Sequence, residues 1–308
     1  MANIGRGLVE MFHDFDRRAR PGREPRNRAI SKFQTLLDTV TFSSETVTTT
    51  VQTPPYQYAR ESYRNAVMAD TPRAYWRLNE FYPAVTAYDE QAAYYGTYAT
   101  GVFPGRVGPG NSEPGTAVAF PGTSSARVDG PTTALSIDVR SAFTVELWVR
   151  PNAIVTGQTP FAKFITAPSR NGVYIVAIGG TNFWNFNRYY AGTATVANSS
   201  AGSATTGWQH LVETYDGTTA ATALRAYVNG QLLASGLSTG NVVATTGRVD
   251  IGAADDAAIG TIPFAGLIDE VATYTVALSS TRILAHYNAM TTPTATGTSL
   301  VVAAGQFR

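Results

Sequence analysis

The sequence contains no cysteine, which excludes disulfide bonds, thiolate metal sites and a cysteine nucleophile. Charged residues make up only 15% of the chain and the net charge is +1, so no overall field attracts it to nucleic acid or to an anionic membrane. No stretch approaches the roughly 18 consecutive apolar residues that a membrane-spanning helix needs. We therefore expect no nucleic-acid partner, no membrane partner, and a fold stabilised by apolar burial.

The chain is instead rich in glycine and aromatic residues, with 28 Gly, 16 Tyr and 14 Phe among 308 residues. This mixture favours strands and turns over helices. Alternating segments such as 143–149 and 208–215 are separated by clusters of Gly, Asn, Asp and Pro, and Asn229-Gly230 is typical of a tight hairpin turn. Many short strands joined by turns predict an all-β sandwich or barrel.

The first 40 residues differ from these alternating segments. Apolar side chains at three- and four-residue intervals predict a short amphipathic helix, and a basic run follows it. Such a run is either a solvated linker or a tether that docks on an acidic protein surface, and nucleic-acid contact is disfavoured because no aromatic residues are interleaved. We interpret 1–40 as a docking arm with the assembly residues Ile4, Leu8, Phe12, Phe15, Arg17, Arg18 and Arg20.

Residues 41–53 are rich in threonine and valine and end at two prolines, which predicts a strand. A lone strand is not stable in water, so we expect it to pair with a neighbouring copy or with another protein. The chain then divides into the arm, a strand and linker at 41–69, an alternating domain at 70–290, and a tail or further pairing strand at 291–308. Acidic residues near the N-terminus interrupt any signal-peptide core, which predicts synthesis in the cytoplasm.

Five short segments carry a resemblance to a known family. They are AYWRLNE (74–80), FTVELWVRP (143–151), WQHLVETYDG (208–217), YVNG (227–230) and FAGLIDEVATY (264–274). In order and spacing they resemble the laminin-G-like, concanavalin A-like jelly-roll family. The resemblance implies an all-β fold, a two-sheet antiparallel jelly-roll sandwich with an N-terminal helical or extended arm. It also implies recognition through the concave face or its rim loops, and it does not imply catalysis.

The opening segment MADTPRAYWRL (68–78) is similar to the start of such domains in minor tail proteins of actinobacterial phages, and also occurs in bacterial surface proteins. The resemblance implies a virion structural and adhesion protein of a phage tail or baseplate. It would bind other virion proteins through its arm, form a homo-oligomer and present the jelly roll to a host-surface glycan. A capsid decoration protein and a free carbohydrate-binding lectin module are the alternatives.

The segment 182–190 combines five aromatic rings with three amides and an arginine. Sugar binding uses a flat apolar ring face beside hydrogen-bond donors, and this segment has both. Strand alternation separates Asn185 and Asn187 from Trp184 and Arg188, and a core strand or an oligomer contact explains the same residues. The candidate ligand-binding residues are Trp184, Asn185, Asn187, Arg188, Tyr189 and Tyr190. A second cluster, Tyr94, Tyr95 and Tyr98, is open to the same interpretations.

Groups for catalysis are few. Of the histidines only His210 lies in a predicted strand, where a packed, hydrogen-bonded core position is expected. Asp269 and Glu270 are adjacent and would point to opposite faces of a strand, whereas a retaining glycosidase holds two carboxylates about 5 Å apart. We therefore expect that the protein is not an enzyme.

Calcium is the one cofactor that the sequence suggests. Hard cations take oxygen ligands from loops, and in many members of the family an acid near the first strand and one in the last strand converge on the metal. Glu80 and Asp269 hold those positions here and Asp129 lies in a turn. The alternative is that Asp269 only anchors the end of a strand. The candidate metal ligands are Glu80, Asp129 and Asp269.

Overall fold

The computed structural model describes residues 45–49, 55–110, 117–131, 142–165, 171–190, 192–236, 247–256, 260–292 and 300–304. The chain forms two compact units, one of residues 53–295 and one of residues 1–52 with 296–308. The predicted docking arm, 1–40, lies outside the described residues together with all its assembly residues from Ile4 to Arg20.

In the smaller unit the described residues form one pair of strands. Strand β1 (Glu45–Thr49) pairs in antiparallel register with β20 (Leu300–Ala304), and Glu45 lies opposite Ala304. The expectation that the Thr-rich strand pairs with another copy or another protein is therefore wrong, because the C-terminal LVVAA segment of the same chain supplies the partner. Residues 300–304 thus form a pairing strand, which is one of the two alternatives predicted for the C-terminal segment 291–308.

The described part of the larger unit contains two helices, α1 (Pro55–Ala69) and α2 (Ser280–Thr291). Its strands are β2 (Ala74–Trp76), β3 (Thr86–Ala87), β4 (Gly96–Tyr98), β5 (Phe103–Arg106), β6 (Ala117–Pro121), β7 (Val128–Asp129), β8 (Phe143–Pro151), β9 (Gln158–Ile165), β10 (Asn171–Ile178), β11 (Phe183–Tyr190), β12 (Thr193–Asn198), β13 (Gln209–Tyr215), β14 (Leu224–Val228), β15 (Gln231–Gly236), β16 (Val249–Ile251), β17 (Ala253–Asp256), β18 (Gly260–Pro263) and β19 (Ala265–Tyr274).

These strands form two large sheets and a small hairpin of β17 and β18. The front sheet has the order β12-β11-β10-β9-β16-β7-β4-β3, and the back sheet has the order β15-β14-β13-β8-β19-β6-β5 with β2 paired to β19. The strand pairs are antiparallel, as in β10 with β11 and β8 with β13. The predicted two-sheet antiparallel jelly roll is confirmed.

The main core fills the space between the two sheets. Alternate residues of each strand point into it, such as Val173 and Ile175 of β10 from the front sheet and Val145 and Leu147 of β8 from the back sheet. Because full burial of one such side chain stabilises the fold by about 1.5–3 kcal/mol, this layer supplies most of the driving force for folding. The other face of each sheet is thereby left for helices, solvent or a ligand.

The two helices cover the side of the back sheet that points away from the main core, and they form a second core there. Tyr63 and Val67 of α1 and Ile283 of α2 are fully buried there against Trp148 and Tyr274. Tyr63 and Val67 are one helical turn apart, so they lie on the same face of α1. Helix α1 therefore belongs to the larger unit, which begins at residue 53 and not at the predicted boundary of 70.

The predicted hairpin turn joins β14 to β15. Asn229 and Gly230 have φ angles of 53° and 76°, the left-handed values that a tight turn of this type requires. A Cβ on Gly230 would lie 3.0 Å from a methyl of Leu284, so glycine here also allows helix α2 to pack closely.

Candidate functional site

Strand β11 alternates as the sequence predicted. Trp184 and Phe186 are fully buried and point into the main core, whereas Asn185 and Tyr189 are half-buried on the opposite side. On strand β10, Tyr174 lies opposite Asn187 and shares its side of the sheet. We call this side of the front sheet, with Phe164, Tyr174, Asn185, Asn187 and Tyr189, the outer face.

Two of the six candidate ligand-binding residues belong to the interior. The indole nitrogen of Trp184 donates to Oε1 of Gln209 at 3.1 Å, and the guanidinium of Arg188 lies 4.1 Å from the ring centroid of Tyr215. Both side chains are fully buried, so Trp184 and Arg188 are corrected from ligand contacts to core residues. For Tyr190 the structure describes only the backbone, at the end of β11.

Three aromatic rings form a platform on the outer face. Tyr174 and Tyr189 are stacked with their centroids 5.7 Å apart, and Phe164 meets each of them edge-on at 5.4 Å. The three side chains are half-buried, so each ring has one part fixed by its neighbours and another part open to solvent. Such a platform has the flat apolar surface that the C–H groups of a sugar ring can cover.

Amide side chains border this platform. The amide nitrogen of Asn185 donates to Oδ1 of Asn198 at 2.6 Å, and the amide nitrogen of Asn187 donates to Oδ1 of Asn185. Asn187 is only 3% exposed, so its contribution is to orient Asn185 and not to reach a ligand. Asn185 and Asn198, further along the same face, are the amides open to solvent or to a ligand.

A charged network lies further along the same face. The guanidinium of Arg248 lies 2.5 Å from a carboxylate oxygen of Asp250 and 2.9 Å from one of Asp255. The guanidinium of Arg127 lies 2.6 Å from a carboxylate oxygen of Asp129. Burial raises the pKa of Asp250 to about 6, although the adjacent Arg248 opposes that shift. Two guanidinium groups thus serve three carboxylates, so the network carries one excess negative charge when all three are ionised.

The three candidate metal ligands occupy different environments. Glu80 accepts hydrogen bonds from the Tyr88 N–H at 2.8 Å and from the Tyr98 hydroxyl at 2.5 Å. Asp129 belongs to the arginine network, and Asp269 is fully buried in β19. Within the described ranges, no three His, Cys, Asp or Glu side chains are placed to hold a metal ion together. Calcium binding stays a prediction.

Strand β19 carries a bulge at Asp269 and Glu270 that the alternation did not predict. The pairing with β8 shifts between Asp269 and Ala272, and Glu270 has a positive φ of 52°. Glu270 is fully buried, accepts a hydrogen bond from the Tyr75 hydroxyl and lies 3.4 Å from Nε of Arg77. Glu270 therefore serves the contact between β19 and the segment of the first strand, whereas Asp269 accepts a hydrogen bond from the Glu270 N–H.

Under the helices lies a buried polar network centred on Glu146 of β8. Oε2 of Glu146 lies 3.1 Å from Nε2 of His210 and 3.0 Å from Nδ1 of His286, and Oε1 accepts a hydrogen bond from the Tyr274 hydroxyl. Nε2 of His286 in turn meets Asp70 at 2.8 Å. The expectation that His210 is a packed, hydrogen-bonded core histidine is confirmed.

The partners of Glu146 could not be read from sequence spacing. His286 stands on a helix 140 residues further along the chain, and Tyr274 lies 128 residues away. No local motif links such positions. The only signal was the placement of His210 in the same strand as other inward-facing residues, which indicated burial but not its partner.

No helix within the described ranges is both long and apolar enough to cross a membrane.

Comparison with solved structures shows the same type of fold elsewhere. The receptor-binding domain of botulinum neurotoxin type G superposes with a TM-score of 0.51 and 12% identity over 70% of this chain and 51% of the toxin chain. A structure of botulinum neurotoxin type C, whose cell entry is dependent upon interaction with two ganglioside molecules, gives a TM-score of 0.50 and 14% identity over 72% of this chain and 52% of the toxin chain. Trypanosoma rangeli sialidase in complex with sialic acid gives 0.51 and 15% over 75% and 37%.

This chain spans about half the length of the toxin chains and less than two fifths of the sialidase. At such low identities the likeness concerns the fold alone. No curated protein sequence matches the chain.

A family model matches residues 121–284, the stretch from the end of β6 to the first residues of α2. This stretch contains most strands of both sheets, the aromatic platform, and Glu146 with its partners His210 and Tyr274. Because the match extends over more than half of the chain, the protein belongs to the Laminin_G_3 family of the concanavalin A-like lectin/glucanases superfamily.

Proposed function

We propose that the chain is a non-enzymatic glycan-binding protein whose outer face binds sugar at the platform of Phe164, Tyr174 and Tyr189. The observation that carries the proposal is the half-open stack of Tyr174 and Tyr189 on the same face of the front sheet as the amides of Asn185 and Asn198. A sugar ring needs an apolar surface for its C–H face and polar groups for its hydroxyls within a few ångströms of one another.

The outer face also has the rigidity that recognition requires. Tyr174 and Tyr189 stand on neighbouring antiparallel strands, and the rings hold one another through stacking and edge contacts. Asn185 is fixed from both sides by Asn187 and Asn198. Little side-chain freedom is then lost when a ligand binds, which favours affinity from a small contact area.

Two of the structures of similar fold support a glycan as the ligand class. One is a sialidase in complex with sialic acid, and another is a toxin whose cell entry depends on interaction with two ganglioside molecules. Both ligands are carbohydrates or carry them. In this chain the platform of Phe164, Tyr174 and Tyr189 offers an apolar surface for such a ligand.

The absence of catalysis is proposed from the state of the buried carboxylates. Glu146 is enclosed by histidines under the helices, and Glu270 is held by Tyr75 and Arg77. A glycosidase needs two carboxylates that both reach the substrate. On the outer face, Asp129, Asp250 and Asp255 are each paired with arginine, which supports binding over hydrolysis.

We further propose that the protein acts in a phage particle, as a component of the tail or baseplate that presents its jelly roll to a host glycan. The support is the resemblance of residues 68–78 to the start of such domains in minor tail proteins. In this proposal other virion proteins and further copies of the chain are the assembly partners. Calcium is retained as a candidate cofactor.

The test is binding of the full chain to a glycan array, followed by titration of the best ligand. Tyr189→Ala and Tyr174→Ala should each weaken binding by about tenfold or more, because loss of one ring contact costs about 1.4 kcal/mol or more. Tyr82→Ala removes a tyrosine that is 70% exposed elsewhere on the same unit and should leave binding unchanged. Equal effects of all three substitutions, or no bound glycan, would refute the proposal.

A further inference from the structure

Three polar atoms are buried between helix α1 and the back sheet without a hydrogen-bond partner in the described part of the chain. They are the hydroxyl of Tyr63 on α1, the indole nitrogen Nε1 of Trp148 on β8 and Nδ1 of His210 on β13. Each of the three side chains is at most 2% exposed. Buried polar groups are nearly always hydrogen-bonded, because an unpaired one loses its contacts with water and gains nothing in return.

The three side chains lie together in the second core. Trp148 and His210 are cross-strand neighbours, and their rings stack with centroids 5.1 Å apart. The ring of Tyr63 lies edge-on to both of them, at 6.1 Å from each. Burial raises the pKa of Tyr63, and the indole N–H of Trp148 lies close enough to oppose that rise, although the two atoms do not form a direct hydrogen bond. The hydroxyl and the indole nitrogen therefore face the same small region.

The hydrogen-bonding polarity of two of these atoms is fixed. The indole N–H of Trp148 can only donate. Burial lowers the pKa of His210, so its imidazole is neutral at pH 7, and its Nε2 lies 3.1 Å from Oε2 of Glu146. In spite of burial, the two histidines hold the pKa of Glu146 below its ordinary value, so this carboxylate is ionised and can only accept. Nε2 therefore carries the proton of His210, and Nδ1 is an acceptor.

The three atoms together specify a class of ligand. The ligand must accept from Trp148, donate to Nδ1 of His210, and form one further hydrogen bond with the Tyr63 hydroxyl, which can donate or accept. A metal cation or an ammonium ion cannot accept from the indole, and a simple anion cannot donate to Nδ1. The atoms are also closed off from solvent, so the ligand is small. Water meets every condition, and a buried water typically forms about three hydrogen bonds.

We propose that a single water molecule is bound between α1, β8 and β13 by Tyr63, Trp148 and His210, as an integral part of the second core. This water joins helix α1 to the back sheet through hydrogen bonds, in addition to the apolar contacts of the Tyr63 ring. The site lies on the back sheet and the aromatic platform on the front sheet, so the inference does not depend on glycan binding.

Removal of one hydroxyl tests the site through the sign of its effect. If water is bound, Tyr63→Phe loses a hydrogen bond, and the equilibrium constant for unfolding of the full chain should rise by about fivefold. If the site is dry, the same change removes an unpaired hydroxyl and should lower that constant. Urea denaturation measures it, and Tyr82→Phe, at a tyrosine that is 70% exposed, is the control that should leave it unchanged. A Tyr63→Phe variant as stable as the wild type, or more stable, overturns the proposal.

Detection of the water itself is the second test, because a direct bond from Trp148 to Tyr63 would also make Tyr63→Phe destabilising. NMR of the full chain should show cross-relaxation between water and the indole N–H of Trp148, in a cross-peak that Trp148→Phe removes. The cross-peak should persist in Tyr63→Phe, since Trp148 and His210 still hold the water, whereas a signal relayed by the hydroxyl proton of Tyr63 would vanish. Its absence in the wild type, or its loss in Tyr63→Phe, overturns the proposal.

Discussion

His286 of helix α2 and Glu146 of strand β8 are joined by a 3.0 Å contact, although 140 residues separate them in the chain. Both side chains are fully buried. The second nitrogen of His286 reaches Asp70, which also receives Nε of Arg282 at 2.8 Å. These contacts therefore join the end of α1 and helix α2 to the back sheet.

Removal of His286 should destabilise the larger unit strongly. In His286→Ala the carboxylate of Glu146 keeps its burial but loses a charged partner, and breaking a buried pair in this way costs about 3–5 kcal/mol. Urea denaturation of wild type and variant measures the difference. Asn288→Ala, at an exposed position of the same helix, should change the free energy of unfolding by about 0.5 kcal/mol or less. A loss below about 1 kcal/mol in His286→Ala would contradict this account.

The same contact makes stability depend on pH. Burial alone would lower the pKa of His286, but the carboxylates of Glu146 and Asp70 outweigh burial and raise it. A group whose pKa is higher in the folded state stabilises fully below its unfolded pKa, about 6.5 for histidine, and loses that contribution as pH rises through the folded value. The stability difference between wild type and His286→Ala should therefore shrink above pH 6.5.

Two neighbouring groups act in the opposite direction and must be separated from His286. Burial lowers the pKa of His210, so its contribution is lost as pH falls. For Glu146, burial would raise the pKa, but the two histidines lower it, so its contribution persists well below the ordinary value of 4.5. Unfolding measured in both proteins from pH 6 to pH 9 isolates the His286 effect. A difference that grows with pH would contradict the assignment.

Glu213 in the main core should be replaceable by glutamine with a gain in stability near pH 8. Burial raises the pKa of Glu213 well above its ordinary value, with Arg188 opposing, and neither carboxyl oxygen has a hydrogen-bond partner in the described part of the chain. The unfolded carboxyl ionises above about pH 4.3, so wild-type stability falls as pH rises from there to the folded pKa. Glu213→Gln removes this dependence.

Thermal unfolding of wild type and Glu213→Gln at pH 5 and pH 8 measures the effect. The wild type should lose more stability than the variant between these values. Glu61→Gln, at a glutamate whose side chain is 62% exposed, is the matched control and should follow the wild type. If Glu213→Gln is destabilising at pH 8, the carboxyl is ionised in the folded state, and its attraction to Arg188 outweighs the cost of its burial.

The domain boundary leads to a further prediction. A fragment of residues 53–295 keeps Tyr63 and Val67 of α1 on the second core, whereas a fragment of 70–290 exposes their partners. Loss of two buried side chains costs about 3–6 kcal/mol, since each contributes about 1.5–3 kcal/mol. The longer fragment should unfold at a clearly higher urea concentration. Equal midpoints would show that α1 adds nothing to the jelly roll.

The sequence predicted those parts of the fold that depend on neighbouring residues. Alternation in 183–190 correctly separated Asn185 and Tyr189 from Trp184, and Asn229-Gly230 correctly marked a turn. The choice of which side faces the core could not be made from β11 alone, because both sides carry aromatic residues. The candidate set therefore combined residues from two opposite faces.

The other parts of the site depend on contacts between distant segments. Phe164 and Tyr174 complete the platform from β9 and β10, and nothing in their local sequence marks them as partners of Tyr189. The bulge at Glu270 likewise arises from the packing of β19 against β8 and β2. Such features require the sheet order, which short-range patterns do not contain.

The most direct measurement of the central claim is a crystal structure of the chain with the glycan that binds best on the array. The account predicts a sugar ring stacked on Tyr174 or Tyr189, with hydroxyls hydrogen-bonded to Asn185 or Asn198 on the outer face. A glycan bound at the rim loops or elsewhere on the chain, with the platform empty, would contradict it.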